Sequence, residues 1–186
     1  MSSFPKLHNF NDMYTPPEAM RYILPFLPTD KTYWEACYGM GHMADELRRC
    51  GFTVVGGPDI DCLNEQPQDW DIFITNPPFN GNKKFFSRAI DIGKPFALLC
   101  RLEHLGGVEA LSLFKDVHIQ VVIPEKRINY ITPKMLAGEK VGGSSFHSVW
   151  VTCGLDLPRD ILYVKEHVSE ERLNHSRRNH DTYRPR

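Results

Sequence analysis

A rigid corner at residues 76–79 (NPPF) directly follows the apolar run 72–74 and could carry chemistry. Proline lacks the N–H that a sheet ladder needs, so Pro77 and Pro78 cannot continue a central strand. They instead stiffen the backbone, which fixes the Asn76 side chain at little ordering cost on binding. The Asn76 side-chain oxygen and the Pro77 carbonyl can accept the two N–H groups of an exocyclic amine, and Phe79 offers a flat face on which a base can stack.

This corner favours transfer of an electrophilic methyl group to the amine nitrogen. Two acceptors draw the lone pair of the amine out of ring conjugation and aim it at the methyl group. The nitrogen can attack first and lose its proton afterwards, so positioning and electrostatics carry the barrier without a strong general base. Chance produces this tetrad only about 10⁻³ times in a chain of this length.

A glycine turn at Gly39 and Gly41 forms a second candidate site, between a predicted strand and a predicted helix. Glycine lets the backbone turn sharply and approach a ligand closely. Glu35, four residues before the first glycine, puts a carboxylate at the tip of the strand, which suits a cofactor with an ammonium group and repels a pyrophosphate. S-adenosylmethionine has that charge. Asp59 ends the next strand, where a carboxylate would take ribose hydroxyls.

A nicotinamide-dependent oxidoreductase is an alternative interpretation of the same turn. Gly39-x-Gly41-x-x-Ala44 satisfies the dinucleotide fingerprint, and Asp59 follows Gly39 by 20 residues. This interpretation ranks last because it leaves the NPPF corner unexplained.

The elements that must position these residues alternate between strand and helix. The predicted strands are residues 31–37, 52–55, 70–75, 95–101, 117–123 and a last one at 146–153. The predicted helices are residues 16–27, 42–50, 83–90 and 106–114. Thr15 should cap the first helix, and Pro25 should kink or shorten it. The strands are largely apolar, so the sequence predicts a Rossmann-like α/β fold with a mostly parallel sheet and helices on both faces. Ligands should sit beyond the carboxyl ends of the strands.

Composition and charge indicate one cytoplasmic domain at residues 1–165, followed by a basic tail at 166–186. The chain has 186 residues, of which 41% are hydrophobic, and it has neither an apolar run of membrane-spanning length nor a secretion signal. Its five cysteines never form C-x-x-C, and no metal site is predicted. Residues 1–80 hold 5 Lys/Arg against 11 Asp/Glu, whereas residues 81–186 hold 17 against 12, so a polyanion should meet the second half.

The sequence resembles the S-adenosylmethionine-dependent amino-group methyltransferases that carry an (Asn/Asp)-Pro-Pro-(Phe/Tyr) motif. Within them it is most similar to the small phage-type, Dam-like DNA adenine-N6 methyltransferases. The stretches that carry the likeness, in chain order, are Tyr14-Thr15-Pro16, residues 35–41, residues 59–61 and residues 76–79, with looser matches at 94–99, 127–128 and 144–150. Together they span about residues 13–155.

The resemblance implies a class I methyltransferase fold, S-adenosylmethionine as cofactor, and adenine N6 in DNA as acceptor, in the host cytoplasm if the gene is a phage's. It assigns the target base to Asn76, Pro77, Pro78 and Phe79, and the cofactor to Tyr14, Thr15, Pro16, Glu35, Cys37, Gly39, Gly41, Asp59, Ile60 and Asn76. Nucleic-acid phosphates are expected at Lys83, Lys84 and Arg127, where contacts would give affinity rather than sequence choice.

Two departures from that family keep alternatives open. Only eight residues separate Asp61 from Trp70, too few for the usual helix and strand, so we expect a reduced sheet edge and a partly open adenine subsite. No insertion could form a target-recognition domain, so specificity should be weak or come from a partner subunit. RNA adenine, cytosine N4 and protein glutamine stay open as acceptors, as do a homo-oligomer and a non-catalytic methyltransferase-like subunit.

Overall fold

The computed structural model describes residues 13–166 of the chain. These residues contain a seven-stranded sheet. The strands are β1 (Thr32–Glu35), β2 (Thr53–Val55), β3 (Ile72–Thr75), β4 (Phe96–Arg101), β5 (Gln120–Pro124), β6 (Ser148–Cys153) and β7 (Ile161–Val164). They lie in the order β2-β1-β3-β4-β6-β5-β7. Every pair is parallel except the two that β6 makes, so the predicted mostly parallel sheet is confirmed. The predicted basic tail lies outside the described residues from position 167 onwards.

The helices follow the strands as the sequence predicts. They are α1 (Pro17–Arg21), α2 (His42–Arg49), α3 (Asn82–Ile92), α4 (Gly107–Phe114) and α5 (Pro133–Leu136), with 3-10 helices at Leu24–Phe26 and Leu102–Leu105. α2 and α3 each start at a glycine in the left-handed region, Gly41 and Gly81. α3 also ends at one, Gly93, which is the usual way for a helix to stop.

Two apolar layers cover the sheet because side chains alternate along each strand. Tyr33 faces one layer, in which Met20 of α1 and Leu47 of α2 are buried. Its neighbour Trp34 faces the other layer, in which Phe86 of α3 is buried. Helices therefore pack on both faces, and the predicted Rossmann-like fold class is confirmed.

The first predicted helix is divided in the structure, and its predicted cap is wrong. α1 ends at Arg21, and the 3-10 helix with Pro25 begins at Leu24, after two intervening residues. Proline removes a helix hydrogen bond and clashes with the preceding turn, which accounts for the break. Pro16 occupies the N-cap position without a side-chain bond, so Thr15 does not cap the helix.

The prediction that the strand at 146–153 is the last one is also wrong. β7 follows it and pairs in parallel with β5 at the far edge of the sheet. Ile161 and Tyr163 are exposed, so the strand lacks the buried apolar run by which the other strands were predicted. Behind it, the Glu166 carboxylate accepts a 2.8 Å hydrogen bond from Arg21, which fastens the end of the described chain to α1.

The opposite edge of the sheet is reduced, as predicted. β2 is its outermost strand, and residues 56–71, between β2 and β3, form turns without a helix or strand. Within residues 13–166 no helix has the length and apolar character needed to cross a bilayer. The same residues contain no group of three or more His, Cys, Asp or Glu side chains that could hold a metal ion.

Candidate active site

The candidate site lies at the carboxyl ends of three neighbouring parallel strands. β1 ends at Glu35, β3 at Thr75 and β4 at Arg101, so these side chains and the NPPF corner that follows β3 lie at the same end of the sheet. The antiparallel β6 begins at this end as well, because Ser148 lies opposite Arg101. Carboxyl ends of parallel strands are where ligands bind in open α/β sheets.

The side chain of Thr75 joins the glycine turn to the NPPF corner. Its hydroxyl accepts a 2.8 Å hydrogen bond from the backbone N–H of Cys37 and donates a 2.7 Å bond to the Glu35 carboxyl. Thr75 is fully buried, and Glu35 is 2% exposed. One hydroxyl therefore fixes the loop after β1 relative to the residue directly before Asn76.

Glu35 lies inside the protein rather than at a solvated strand tip. Loss of water raises the pKa of its carboxyl to about 8, against the opposing effect of the hydrogen bond from Thr75. The group is therefore largely uncharged at neutral pH, and it would ionise when a cation such as an ammonium group reaches it. A buried carboxyl of this kind fits the positive end of S-adenosylmethionine.

The Asn76 amide has one satisfied end and one unsatisfied end. Its Nδ2 donates to the Met13 carbonyl at 3.3 Å, and because a carbonyl only accepts, the amide nitrogen must face Met13. Oδ1 then points away from Met13 and is buried without a hydrogen-bond partner. Leaving a buried acceptor unpaired costs about 1–3 kcal/mol, so this oxygen marks a place where a donor from a ligand fits.

The segment that begins at Met13 connects the NPPF corner to the glycine turn. Tyr14 pairs with Ile131 through two backbone hydrogen bonds of 2.8 and 3.1 Å, and its ring meets the His42 ring edge-on at 5.5 Å. A Cβ atom at Gly39 would lie 4.0 Å from the Tyr14 ring. The predicted cofactor residues Tyr14 and Gly39 thus lie close together, and Met13, the neighbour of Tyr14, contacts Asn76. Thr15 and Pro16 are buried.

The glycine turn requires glycine at both positions. Gly39 and Gly41 have φ angles of +52° and +82°, in the left-handed region that other residues rarely adopt. A Cβ atom at Gly41 would also approach the Tyr38 ring to 3.0 Å. At Gly39 such an atom would make only ordinary contacts, at 3.8 Å from the Cys37 carbonyl oxygen and 4.0 Å from the Tyr14 ring, so the backbone angle alone favours glycine there.

The loop after β2 packs against the end of β1. A Cβ atom at Gly56 would lie 2.5 Å from the Glu35 carbonyl oxygen, so only glycine fits there. Farther along the loop, Ile60 packs on the apolar layer around Trp34, and Asp59 is exposed. The predicted ribose-binding carboxylate therefore stands in solvent, on a loop held close to Glu35.

Phe79 belongs to an aromatic cluster at the mouth of the site. Its half-buried ring meets the Tyr130 ring at 5.2 Å and the Phe146 ring at 5.1 Å, both edge-on. The guanidinium carbon of Arg101 lies over the same ring, 4.9 Å from its centroid. Of the two prolines, Pro77 is buried and Pro78 is exposed.

The predicted phosphate-contacting residues are exposed on two separate elements. Lys83 and Lys84 lie in the first turn of α3, next to an open groove that Ser87 and Arg88 also line. Arg127 follows β5, and its guanidinium donates to the Ser144 carbonyl at 3.4 Å.

Several residues of the site were not predicted from the sequence. Met13 orients Asn76, Thr75 holds Glu35, and Arg101 stands over Phe79 with Tyr130 and Phe146 around it. One signal was available for Arg101, because it ends the apolar strand PFALLCR, and charged residues at strand ends are expected at ligand sites. Met13 carries no such signal.

Comparison with known proteins finds a shared fold at low sequence identity. No protein-family model and no curated protein matches the chain significantly. A modification subunit of a putative type I restriction enzyme from Vibrio vulnificus superposes with a TM-score of 0.53 at 11% identity, over 86% of this chain and 48% of that one. The methyltransferase subunit of a type I restriction-modification system from Streptococcus thermophilus gives 0.50 at 12% identity, over 84% and 48%. The chain thus spans about half the length of both proteins and shares their fold.

Proposed function

We propose that the protein is an S-adenosylmethionine-dependent methyltransferase that acts on an exocyclic amine, most directly adenine N6 in DNA. The observation that carries the proposal is the buried, unpaired Oδ1 of Asn76, in the motif that follows β3 at the carboxyl ends of the strands. When bound, S-adenosylmethionine supplies an electrophilic methyl group on a sulfonium.

In this proposal the residues at the strand ends bind and orient the two reactants. Asn76 Oδ1 and the Pro77 carbonyl accept the two N–H groups of the amine, and this orients its lone pair. Glu35 binds the ammonium group of the cofactor, Gly39 allows close approach, and the exposed Asp59 takes the ribose hydroxyls. The amine proton leaves to solvent after transfer, so no strong base is assigned.

Three observations support DNA as the substrate. The NPPF corner resembles that of DNA adenine methyltransferases, and residues 81–186 carry an excess of basic residues. The structurally similar proteins are described as subunits of restriction-modification systems. Because the chain spans about half their length, we assign recognition of the target sequence to a partner subunit.

The acceptor can be tested by offering each candidate substrate in a separate reaction. The protein would be incubated with radioactive S-adenosylmethionine and duplex DNA, RNA or ribosomal extract. We expect label in DNA, and mass spectrometry of the nucleosides should identify N6-methyladenine. Label in RNA, or N4-methylcytosine, would move the assignment to those acceptors, and label in a ribosomal protein would move it to a glutamine amide. Absence of transfer to any nucleic acid would refute the proposal.

A non-catalytic subunit is the second candidate, and the reduced sheet edge favours it. β2 is the outermost strand, and Asp59 is exposed on a loop without a helix or strand behind it. Such a subunit would borrow its cofactor site from a partner. Calorimetry of the isolated chain with S-adenosylmethionine separates the two candidates: saturable binding supports the enzyme, and absence of binding supports the subunit.

A further inference from the structure

The Arg101 guanidinium is a partly buried cation without an acceptor. It lies over two rings, 4.2 Å from the centroid of Phe146 and 4.9 Å from that of Phe79. Its Nε is buried without a hydrogen-bond partner, and none of residues 13–166 forms a hydrogen bond or ion pair with its side chain. Arg21 and Arg88 are also partly buried, but they donate to the Glu166 carboxylate and the Cys62 carbonyl.

The aromatic rings satisfy only part of what this cation requires. Stacking on two rings is favourable, but it supplies no acceptor for the N–H donors of the fork. Nε is buried, and leaving a buried donor of a charged group unpaired is costly. The terminal nitrogens are not among the buried atoms, so a ligand can reach the fork and supply acceptors.

The position of Arg101 relates that acceptor to the proposed reaction. β4 pairs with β3 at Thr75 and Leu98, so Arg101 ends at the same edge as Asn76. During methyl transfer to an amine, positive charge develops on the accepting nitrogen, and an unneutralised cation nearby would oppose it. An anionic partner removes this conflict, and the planar guanidinium fork matches phosphate oxygens in particular.

We propose that Arg101 binds a backbone phosphate of the nucleotide whose base stacks on Phe79. This inference rests on the proposed function and narrows its substrate to a nucleic acid strand, because neither a protein amide nor a free nucleoside has a phosphate at this position. Arg101 would also hold the strand at the site independently of Lys83 and Lys84, which are exposed on α3.

Binding of a fluorescent single-stranded oligodeoxynucleotide to the full chain, measured by anisotropy without cofactor, tests the inference. Arg101→Gln should weaken binding about tenfold and should reduce the slope of log Kd against log salt concentration by about 0.7, the value for one phosphate on a single strand. The affinity of Arg101→Lys should fall between those of the unaltered protein and Arg101→Gln, because lysine keeps the charge but lacks the planar guanidinium fork. Arg159→Gln, a change at an exposed arginine before β7, serves as the matched control.

A second arm removes the charge from the ligand instead of the protein. A methylphosphonate next to the target adenine should weaken binding to the unaltered protein and should have little effect on Arg101→Gln. Because the first half of this arm uses the unaltered protein, it stays informative if the variant folds poorly. Equal binding by Arg101→Gln, or equal loss with the methylphosphonate in both proteins, would overturn the inference.

The outcomes also separate this inference from the proposed function. Arg101-dependent binding without methyl transfer to any acceptor would overturn the proposed function and leave the phosphate site standing. If Arg101→Gln methylates DNA with an unchanged KM, the phosphate site is overturned and the proposed function stands.

Discussion

The hydroxyl of Thr75 donates a 2.7 Å hydrogen bond to the buried carboxyl of Glu35, across the ends of two neighbouring strands. The same hydroxyl accepts from the Cys37 N–H, so the loop after β1 and the residue before Asn76 share one anchor. A change in the charge of Glu35 should therefore affect both the loop after β1 and the NPPF corner.

Glu35 should make the stability of the protein depend on pH. Burial raises the pKa of this carboxyl from 4.5 to about 8, so the folded state keeps a proton that the unfolded state releases between these values. The folded state binds more protons, and the free energy of unfolding should therefore fall as pH rises from about 4.5 to 8, by up to roughly 1.4 kcal/mol per pH unit.

Chemical denaturation between pH 5 and pH 9 checks this expectation. Glu35→Gln cannot titrate, so its curve should be flatter, and the variant should be the more stable protein at pH 9. Parallel pH profiles for the two proteins would show that Glu35 does not titrate as described. Glu65→Gln, at an exposed position, is the matched control.

Asn76→Ala should reduce the rate of methyl transfer by several orders of magnitude while leaving cofactor affinity nearly unchanged. The change removes one of two oriented acceptors, and removing a single such group from a preorganised site typically costs about 10²–10³ in kcat or more. Single-turnover kinetics and calorimetry measure the two effects separately. Asn80→Ala, at the exposed position just after the motif, should change neither. An equal loss of cofactor binding in Asn76→Ala would contradict the assigned role.

Cys37 and Cys62 should form a disulfide under mild oxidation. Their sulfur atoms lie 3.8 Å apart, and the hydrogen bond from Cys37 lowers the pKa of the Cys62 thiol, which makes Cys62 the more reactive of the two. Hydrogen peroxide would oxidise the two thiols to the disulfide and be reduced to water. Peptide mass spectrometry should find the 37–62 cross-link, with the buried Cys100 unmodified.

The disulfide should also weaken cofactor binding. Bond formation brings the sulfurs to about 2.05 Å, which displaces the loop whose Cys37 N–H is bonded to Thr75. Calorimetry before and after treatment with a reductant measures the change, and Cys62→Ser should be insensitive to peroxide. Unchanged affinity in the cross-linked protein would show that the loop tolerates the bond.

The combined variant Lys83→Ala/Lys84→Ala should weaken DNA binding without changing the preferred base. Both side chains are exposed in the first turn of α3, where binding to phosphates would give affinity alone. The salt slope of duplex binding should fall by about 0.9 for each phosphate that the variant no longer neutralises. Lys115→Ala, at an exposed lysine beyond α4, provides the control. A changed base preference would instead place these lysines at the base edge.

Most of the fold could be predicted because its buried strands form apolar runs, but one strand at the sheet edge was missed. The strands ending at Glu35, Thr75 and Arg101 are largely buried and were located to within a few residues. β7 was missed although its residues, ILYV, have high strand propensity; in the structure it is half-exposed at the sheet edge, with Ile161 and Tyr163 facing outwards.

The residues of the candidate site also divide into those that the sequence predicted and those that it did not. Asn76 and Glu35 were found because their local sequence already restricts their chemistry. The hydrogen bond between Asn76 and Met13 spans 63 positions, and no local pattern encodes such a partner. Arg101 likewise gains its role from Phe79 and Phe146, which only the folded sheet brings to it.

The bare edge beside β2 has a practical consequence for labelling chemistry. Residues 56–71 provide turns but neither a helix nor a strand on that side. If the purine of the cofactor lies next to the exposed Asp59, its outer rim points to solvent. Cofactor analogues with a bulky handle on the purine should then be accepted as readily as the natural compound, and because the handle stays on the thioether product, they would label the cofactor site and not the modified strand.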